Sequence, residues 1–469
     1  MTGIYTPRTK IVCTLGPSTS SPDTIRGLIE AGMNVARVNF SHGTHEQHAK
    51  TIAMVRGLAE EFAKPIAILG DLQGPRIRIG DLPKPITLKV GEDVVLVHEG
   101  EEKNGEIPVT YDQLAHDVRV GDRILIDDGL IELVALDVGN SRVKARVLNG
   151  GDLKSHKGLN LPGIQVSAPS ITEKDAADIR FAVEQEVDYL ALSFVRRAED
   201  IESLRGMIPK WLLVVAKIEK DVALHNIEAI VRATDAVMVA RGDLGVELPF
   251  EAVPGAQKRI IRLANRYGRP VITATQMLES MIEHPRPTRA EASDVANAIM
   301  DGTDAVMLSA ETAAGAYPRL AVEAMTRIIK EIETHPPVAP FSGAEQRDGV
   351  TIEGAIAAAT VAAVGMLDAP LIAVFTKSGF SARVVSSKRP PVPILALTDE
   401  ARTFRQLALV WGVVPELVPH CSDYDEMMEQ TKGVVTLREL ASSGDRIIVT
   451  AGVPFDMPGT TNLLKVETV

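Results

Sequence analysis

Two stretches of the sequence end in charged residues that stand two positions apart. Lys217 and Glu219 follow one short apolar run, and Arg241 and Asp243 follow another. Apolar runs rich in β-branched residues are typical of buried parallel strands, on which residues two apart point to the same side. One interpretation is a pair of strand-end salt bridges, because buried charges need partners. The other is that two carboxylates hold a divalent cation beside a lysine that meets an anion.

The elements that must position these residues recur in a regular order. Eight apolar runs end in polar residues, three of them before an interruption and five after it. The runs with their polar ends are 11–17, 35–43, 66–75, 189–194, 212–219, 236–243, 271–276 and 305–311. Eight strand–helix units predict a closed parallel barrel with its active site at the carboxyl ends of the strands. A doubly wound open sheet is the alternative, but its chemistry collects at a single switch point.

The interruption and the end of the chain have patterns of their own. Residues 80–163 alternate without long helices, and Asp128-Gly129 is a hairpin signal, so we expect an inserted β domain. Proline density at 334–340 marks a linker before a third, α/β region. We therefore assign the barrel to 1–73 and 168–338, the inserted domain to 74–167 and the third domain to 339–469.

Composition narrows the class of protein. The 469 residues are 45% hydrophobic and 24% charged, as in an ordinary soluble protein. The net charge of −12 argues against a nucleic-acid partner or an anionic membrane surface. Two cysteines without a CxxC motif, and no signal-peptide pattern, are what we expect of a cytoplasmic protein. Rossmann and Walker A fingerprints are absent, so a nucleotide would be bound without them.

The third region contains a candidate phosphate site. We expect a strand to turn into a helix at Thr376, Lys377, Ser378, Gly379, Phe380, Ser381, Ala382 and Arg383. Hydroxyls and backbone amides at the start of a helix favour a bound phosphate. The alternative is a capped helix with a solvated lysine and arginine.

Three histidines, His42, His45 and His48, lie close together in the sequence. Their spacing does not match the His-Glu-x-x-His pattern, and no cysteine is nearby. We therefore expect the start of a surface helix rather than a zinc site.

With the barrel, the insertion and the strand-end residues in place, the chain closely resembles the pyruvate kinase family along essentially its whole length. The most specific segments are 36–43, 71–80, 217–219, 240–245, 274–281 and 286–291. The resemblance implies transfer of a phosphoryl group from phosphoenolpyruvate to ADP, which gives pyruvate and ATP. It also implies a homotetramer. If residues 376–383 bind a phosphate, we expect a phosphorylated effector to act from the third domain.

The resemblance implies separate roles for four charged residues of the predicted strand ends, Glu219, Asp243, Lys217 and Arg37. Glu219 and Asp243 match the ligands of Mg²⁺ or Mn²⁺, which prefer hard oxygen ligands. Lys217 matches the cation that meets the moving phosphoryl group, and Arg37 matches its partner on another strand. Phosphoryl transfer requires mainly positioning and charge neutralisation, so these residue types suit the reaction.

Further residues of the barrel are implied to contact the substrate. The backbone of Ala240, Arg241 and Gly242 is similar to the segment that holds the substrate carboxylate. Thr275 matches the hydroxyl nearest the enolate carbon, and Ser309 is a candidate member of a proton relay.

The inserted domain is implied to be a lid that excludes water when it closes. The residues that match nucleotide-binding positions of the family are Pro17, Asn39, His42, Arg78 and Lys157. One position departs from the family, because Ala314 stands where many members have a lysine that contacts the nucleotide phosphates.

The monovalent-cation site departs from the family as well. Many members hold K⁺ with groups that match Asn39, Ser41, Asp71 and the main chain at Leu72, and they carry a glutamate where this chain has Arg76. A guanidinium is always protonated, so we predict that Arg76 takes part in the site and that K⁺ is not required. In the alternative, Arg76 extends into solvent and the K⁺ site survives.

Two other functions remain open at this point. One is another Mg²⁺-dependent barrel enzyme that acts on a pyruvate enolate, of the aldolase or mutase class. The other is a non-catalytic effector sensor built on the third domain. Loss of phosphoenolpyruvate that depends on ADP would separate both from a kinase.

Overall fold

The structure, a computed structural model, describes residues 7–103, 105–164, 166–335, 351–421, 423–453 and 461–469. Its first strands are β1 (Lys10–Leu15), β2 (Val35–Asn39) and β3 (Ala67–Asp71). The inserted strands are β4 (Ile86–Leu88), β5 (Asp93–His98), β6 (Ile107–Val109), β7 (Arg123–Ile126), β8 (Ile131–Gly139), β9 (Arg142–Asn149), β10 (Gly151–Leu153) and β11 (Leu159–Asn160). Next come β12 (Tyr189–Leu192), β13 (Leu213–Ile218), β14 (Ala236–Ala240), β15 (Val271–Ala274) and β16 (Ala305–Leu308). The last strands are β17 (Ile372–Phe375), β18 (Ile394–Thr398), β19 (Val413–Leu417), β20 (Arg446–Ala451) and β21 (Leu463–Thr468).

Helices follow most of these strands. Those before β12 are α1 (Pro22–Ala31), α2 (His45–Glu61), α3 (Leu114–Asp117) and α4 (Glu173–Glu184). Those from β12 to the end of the barrel are α5 (Ala198–Arg205), α6 (Asp221–His225), α7 (Ile227–Ala233), α8 (Arg241–Glu247), α9 (Val253–Arg266), α10 (Arg289–Met300), α11 (Ala310–Ala313) and α12 (Pro318–Thr334). The last are α13 (Ile352–Leu367), α14 (Phe380–Ser386), α15 (Ala401–Gln406) and α16 (Tyr424–Leu437). None of the helices in the described residues has the length and apolar character needed to cross a membrane.

Eight parallel strands close into a barrel, in the order β1-β2-β3-β12-β13-β14-β15-β16 and back to β1. The predicted barrel is therefore confirmed and the open sheet is wrong. Apolar side chains fill its interior, while a more extensive apolar layer packs between the strands and the surrounding helices. Because all eight strands run in the same direction, their carboxyl ends meet at one rim.

The inserted segment leaves the barrel after β3 and returns before α4. A six-stranded sheet, ordered β11-β7-β8-β9-β5-β6, and the pair β10-β4 enclose an apolar core of their own. The hairpin signal at Asp128-Gly129 lies between the antiparallel strands β7 and β8, as predicted. We call this segment the lid.

The third region is a five-stranded sheet, ordered β19-β18-β17-β20-β21, in which only β21 is antiparallel to its neighbour. A 3₁₀ turn, Leu407–Leu409, connects this region to the barrel. Ala408 and Leu409 pack with the apolar side chains of the barrel interior, and the Tyr189 hydroxyl donates to the Gln406 carbonyl at 2.6 Å. The third region is thus attached at the amino-terminal end of the barrel, opposite the rim that carries the site.

Two details of the predicted strands are wrong. Strand β14 ends at Ala240, and Arg241 and Asp243 lie on helix α8, so they do not repeat the strand geometry of Lys217 and Glu219. Strand β2 ends at Asn39, so residues 40–43 of the predicted run 35–43, with Ser41 among them, lie beyond the strand. The first six residues of the barrel assignment, most of the linker at 334–340 and residues 339–350 of the third domain lie outside the described residues.

Candidate active site

Lys217 is the central cation of the rim. It lies near the carboxyl end of β13, and its Nζ atom is 2.9 Å from Glu219 Oε1 and 3.2 Å from Asp71 Oδ1. The same ammonium donates to Ser193 Oγ at 2.7 Å. Burial alone would lower the pKa of Lys217, but the charges of Asp71 and Glu219 outweigh it and raise the pKa. Lys217 is therefore a buried, protonated ammonium group.

Arg37 approaches the same carboxylate from strand β2. Its Nε atom donates to Asp71 Oδ2 at 2.7 Å, and its Nη1 atom donates to Thr14 Oγ1 at 2.9 Å. Burial alone would raise the pKa of Asp71, but Lys217 and Arg37 outweigh it and lower the pKa. Asp71 is thus an ionised bridge that holds two cations from different strands side by side.

Glu219 is the less compensated of the two carboxylates beside Lys217. Its Oε2 atom accepts the backbone N–H of Phe194 at 2.7 Å. Burial raises the pKa of Glu219; Lys217 lowers it in part, and the charge of Asp243 on the first turn of α8 raises it further. Two hard oxygen donors with excess negative charge fit a divalent cation. Among the described residues no group of three or more His, Cys, Asp or Glu side chains could hold a metal, so other ligands would come from substrate or water.

The loop after β15 lies against the start of α8. Thr275 Oγ1 accepts the backbone N–H of Gly242 at 2.8 Å and donates to the Ala274 carbonyl at 2.6 Å. Thr275 and Gln276 have φ angles of 67° and 55°, in the left-handed region that non-glycine residues rarely occupy. Such backbone strain is common at functional sites. The structure therefore brings the Thr275 hydroxyl next to Gly242 of the expected carboxylate-binding segment.

Arg241 has a different role from the one its spacing predicted. Its buried guanidinium pairs with Asp294, where Nη1 and Oδ2 are 2.7 Å apart, and donates to the Ala274 and Thr275 carbonyls at 3.3 and 2.6 Å. These bonds support the strained loop from behind. The Arg241 side chain is thus bonded to this loop and to Asp294, and no signal in the sequence distinguished this direction from the predicted one.

Ser309 is available for a relay. It follows β16 directly, and its backbone N–H donates to Glu311 Oε2 at 2.7 Å. Its Oγ atom is buried and has no hydrogen-bond partner among the described residues. A buried hydroxyl without a partner is uncommon in folded proteins and indicates a group that waits for a ligand or a water molecule.

Two residues that support the site, Ser193 and Phe194, were not predicted from the sequence. Ser193 Oγ donates to the Leu72 carbonyl at 2.7 Å while it accepts from Lys217. Phe194, whose φ angle is 55°, presents the N–H that binds Glu219. A serine at the end of an apolar run was the available signal for Ser193, whereas a backbone donor leaves no trace in residue type.

The predicted nucleotide residues are divided between the barrel and the lid. Pro17 begins a 3₁₀ turn after β1, and His42 is exposed in the turn after β2. On the lid, Arg78 is bridged by backbone pairing to Gly158, and Lys157 Nζ is 2.7 Å from Asp127 Oδ1.

The groups that match the monovalent site already have partners within the protein. Asn39 Oδ1 accepts the backbone N–H of Ser41 at 3.1 Å, while Asp71 is occupied by the two cations and the Leu72 carbonyl by Ser193. The Arg76 side chain is exposed and makes no hydrogen bond or ion pair with any described residue. The structure therefore does not bring Arg76 into contact with the other four residues, although it lines a cavity that Asp243 also lines.

The loop of the third region turns from strand β17 into helix α14, as predicted. Gly379 is the N-cap residue with a φ angle of 75°, and no side chain caps the helix. Arg383 Nη1 donates to the Ser378 carbonyl at 3.1 Å, and Ser381 Oγ lies 2.6 Å from Thr461 Oγ1 in the interior. Ser378 is the exposed hydroxyl of this loop.

The predicted helix start at the histidines is confirmed. Helix α2 begins at His45, and the Thr44 side chain accepts the backbone N–H of Gln47 as its cap. His45 Nε2 is 2.7 Å from Asp178 Oδ1, and its ring stacks on Phe181.

A (β/α)₈ barrel with an inserted lid, a buried lysine–arginine pair and two metal-compatible carboxylates at one rim defines an enzyme that handles an anionic substrate. Residues 6–322 match the family model for the pyruvate kinase barrel domain, and residues 354–467 match that for the pyruvate kinase alpha/beta domain. The chain belongs to the pyruvate kinase family.

Individual relatives agree with the family models. The pyruvate kinase of Geobacillus stearothermophilus is 46% identical over 473 residues, which cover 98% of this chain and 80% of the relative. That of Staphylococcus aureus (strain MRSA252) is 45% identical over 470 residues, with the same coverage. A crystal structure of a pyruvate kinase from Cryptosporidium parvum superposes with a TM-score of 0.93 at 36% identity, over 98% of this chain and 96% of that one.

The activity follows from this membership. The protein is a phosphotransferase that moves the phosphoryl group of phosphoenolpyruvate to ADP, and pyruvate kinases generally use Mg²⁺. An aldolase or mutase, and a sensor without catalysis, are therefore not the function of this chain.

Proposed function

We propose that the buried ammonium of Lys217 carries the phosphoryl transfer, with Arg37 beside it. The observation behind this assignment is that Asp71 holds both cations at one point of the rim. Phosphoryl transfer spreads negative charge over the phosphoryl oxygens, so fixed cations in a buried site stabilise the transition state without reorganising. Asp71 positions the two cations and Ser193 fixes the ammonium.

Glu219 and Asp243 would hold the divalent cation, which when bound neutralises charge on the phosphoryl and enolate oxygens. Two variants test the division of roles. Lys217→Met should lower turnover while the affinity for Mn²⁺ changes little, whereas Glu219→Gln should lower the affinity for Mn²⁺ itself. If both variants bind Mn²⁺ and turn over as the wild type does, the assignment fails.

We assign the proton that reaches the enolate carbon to the side of the site formed by Thr275 and Ser309. Thr275 is fixed by Gly242 and Ala274, and Ser309 Oγ is free to take a water molecule or a partner. Ser309→Ala should slow exchange of the pyruvate methyl protons with solvent more than it slows ATP formation. Unchanged proton exchange would remove Ser309 from the relay.

The nucleotide is proposed to bind between rim and lid. Pro17, Asn39 and His42 lie on the barrel side, and Arg78 and Lys157 on the lid side, so closure would gather both sets around one ligand. Lys157 is paired with Asp127, and a nucleotide phosphate would take the place of this partner. Closure also excludes water, which would otherwise compete with ADP for the phosphoryl group.

We propose that K⁺ is not required. Arg76 lines the cavity between lid and barrel together with Asp243 and Lys220, so it adds a permanent positive charge to the cleft. A second cation about 4 Å from a guanidinium would be repelled by roughly 4 kcal/mol at an effective dielectric of about 20. The side chain must move from its exposed position to exert this effect.

We propose that a phosphorylated effector binds at Thr376–Arg383 and acts on the barrel through helix α15. Thr403 Oγ1 of α15 donates to the Lys377 carbonyl at 2.5 Å, and Gln406 at the end of α15 accepts the hydroxyl of Tyr189. A ligand that shifts the loop therefore has a continuous route of contacts to strand β12. Assembly as a homotetramer and a cytoplasmic location are proposed from the family resemblance, and light scattering of the purified protein would test the first.

A further inference from the structure

Glu247 is a buried carboxylate that has no part in the reaction proposed above. It is the last residue of α8, one helical turn after Asp243, so the two carboxylates lie on the same side of that helix. Its side chain is 1% exposed. Glu247 Oε1 accepts Lys220 Nζ at 2.5 Å and Asn160 Nδ2 at 3.3 Å. A buried carboxylate is tolerated only with such partners.

Lys220 connects this carboxylate to the metal ligands. It follows Glu219 in the chain by one residue, and its ammonium lies 5.6 Å from the centre of the Phe194 ring. The backbone N–H of Phe194 is the donor that holds Glu219 Oε2. The Lys220–Glu247 ion pair therefore touches the supports of both proposed metal ligands, one through Phe194 and the other through helix α8.

Asn160 brings the lid into the same network. It belongs to β11, the last strand of the lid, where it pairs with Leu125 of β7. Its side-chain amide thus forms a hydrogen bond from the lid to Glu247 of the barrel. Asn160, Lys220, Glu247 and Asp243 line one cavity between the two domains, together with Arg76 and Phe194.

We propose that Glu247 and Lys220 are positioning residues that dock the lid, through Asn160, onto the helix that carries Asp243. The inference rests on the proposed function, in which Asp243 is a metal ligand. A docked lid gives Glu247 a second donor, and a lid that swings away leaves it with Lys220 alone. Lid closure and the placement of Asp243 are therefore linked through one buried carboxylate.

Asn160→Asp tests the proposal, because it keeps the shape of the side chain and places a second carboxylate against Glu247. We expect the KM for ADP to rise by about tenfold or more, with a smaller change in the KM for phosphoenolpyruvate. Hydrogen exchange should increase in two separate segments, the lid around 159–161 and helix α8 at 241–247. Asn149→Asp is the matched control, because Asn149 is a lid asparagine whose amide donates to the Leu130 carbonyl within the lid.

A second variant distinguishes docking from local damage to the lid. In Asn160→Asp combined with Glu247→Gln, the glutamine amide can donate to the new carboxylate, so the hydrogen bond returns with its direction reversed. We expect this double variant to recover most of the lost affinity for ADP. Failure of the double variant to recover, or an ADP dependence of Asn160→Asp equal to that of Asn149→Asp, would overturn the proposal.

Metal binding separates this inference from the function on which it rests. If Glu219→Gln binds Mn²⁺ as tightly as wild type, the assignment of the metal site fails and the docking proposal fails with it. Only the docking proposal fails if Glu219→Gln loses affinity for Mn²⁺ while Asn160→Asp changes neither the KM for ADP nor the hydrogen exchange of helix α8.

Discussion

Replacing Lys217 with methionine removes the charge on which the proposed transfer depends and keeps an unbranched side chain. In the wild-type site the Nζ atom lies 2.9 Å from Glu219 and 3.2 Å from Asp71. At about 4 Å and an effective dielectric of about 20, one unit charge contributes about 4 kcal/mol to the binding of a second. If this contribution is made mainly in the transition state, its loss lowers kcat roughly 10³-fold.

The same substitution takes a partner from two buried carboxylates. Breaking a buried ion pair costs about 3–5 kcal/mol of folding stability. Arg37 still binds Asp71, and the Phe194 N–H still binds Glu219, so we expect a folded protein with a lower Tm. Circular dichroism during heating measures this cost and shows whether low turnover reflects unfolding.

ADP-dependent formation of pyruvate at saturating substrate measures kcat, and titration with Mn²⁺ measures metal affinity. Glu219→Gln is the control that should weaken Mn²⁺ binding by about tenfold or more. A folded Lys217→Met enzyme whose kcat stays within about tenfold of wild type would refute the assignment. Recovery of its turnover by excess Mn²⁺ would also refute it, because the lysine would then act only through the metal site.

Three further predictions concern other parts of the chain. Wild type should be fully active in tetramethylammonium buffers free of K⁺ and NH₄⁺, and Arg76→Glu should become dependent on K⁺; a wild type that is silent without K⁺ contradicts this. Ser378→Ala should weaken the kinetic response to phosphorylated sugars or nucleotides without changing activated turnover. Ser387→Ala, in the same helical region, is the control and should keep the full response. If wild type itself shows no response, the loop is the start of a helix and not an effector site. Burial lowers the pKa of Lys10 from 10.5 to about 8. Between these two pH values the unfolded chain binds more protons than the folded chain, so the free energy of unfolding rises with pH, by about 3 kcal/mol in all. The Tm of wild type relative to Lys10→Met should therefore increase from pH 8 to pH 10.5, and a constant difference would contradict the burial of this charge.

The fold was predictable because all eight strands of the barrel must meet the same requirements on residue type. Each strand must be apolar along its length and polar where it reaches the rim, so every unit repeats a pattern that is visible in one dimension. Lys217 and Glu219 were found in this way, and so was Arg37. The lid was visible because its strands alternate and end in turn signals instead of helices.

The pattern failed where a strand ended together with its apolar run, before the charged residues that follow the run. Arg241 was expected to face the cleft like Lys217, but β14 ends at Ala240 and the chain turns at once into α8. The first helical turn sends Arg241 behind the Thr275 loop and Asp243 toward Glu219. Side chains two positions apart point to the same side only on a strand, and the residue types do not show where the strand ends.

Contacts between distant segments were also out of reach. Ser193 and the N–H of Phe194 hold Lys217 and Glu219, and Asn160 reaches Glu247 from the lid. Each of these contacts depends on how two units sit against each other rather than on any local pattern. Polar residues of this kind are ordinary strand-end or helix-end residues until the fold places them.

The two interpretations of Lys217 and Glu219 prove to be compatible. The salt bridge exists, since Nζ and Oε1 are 2.9 Å apart, and yet the charges are shared unequally. Asp71 faces both Lys217 and Arg37, and its pKa is lowered; Glu219 shares Lys217 with Asp71, faces Asp243, and its pKa is raised. One cation divided between two carboxylates cannot satisfy both in a buried site. The uncompensated charge collects at Glu219 and Asp243, which is where a divalent cation would restore the balance and leave Lys217 free to meet a phosphoryl group.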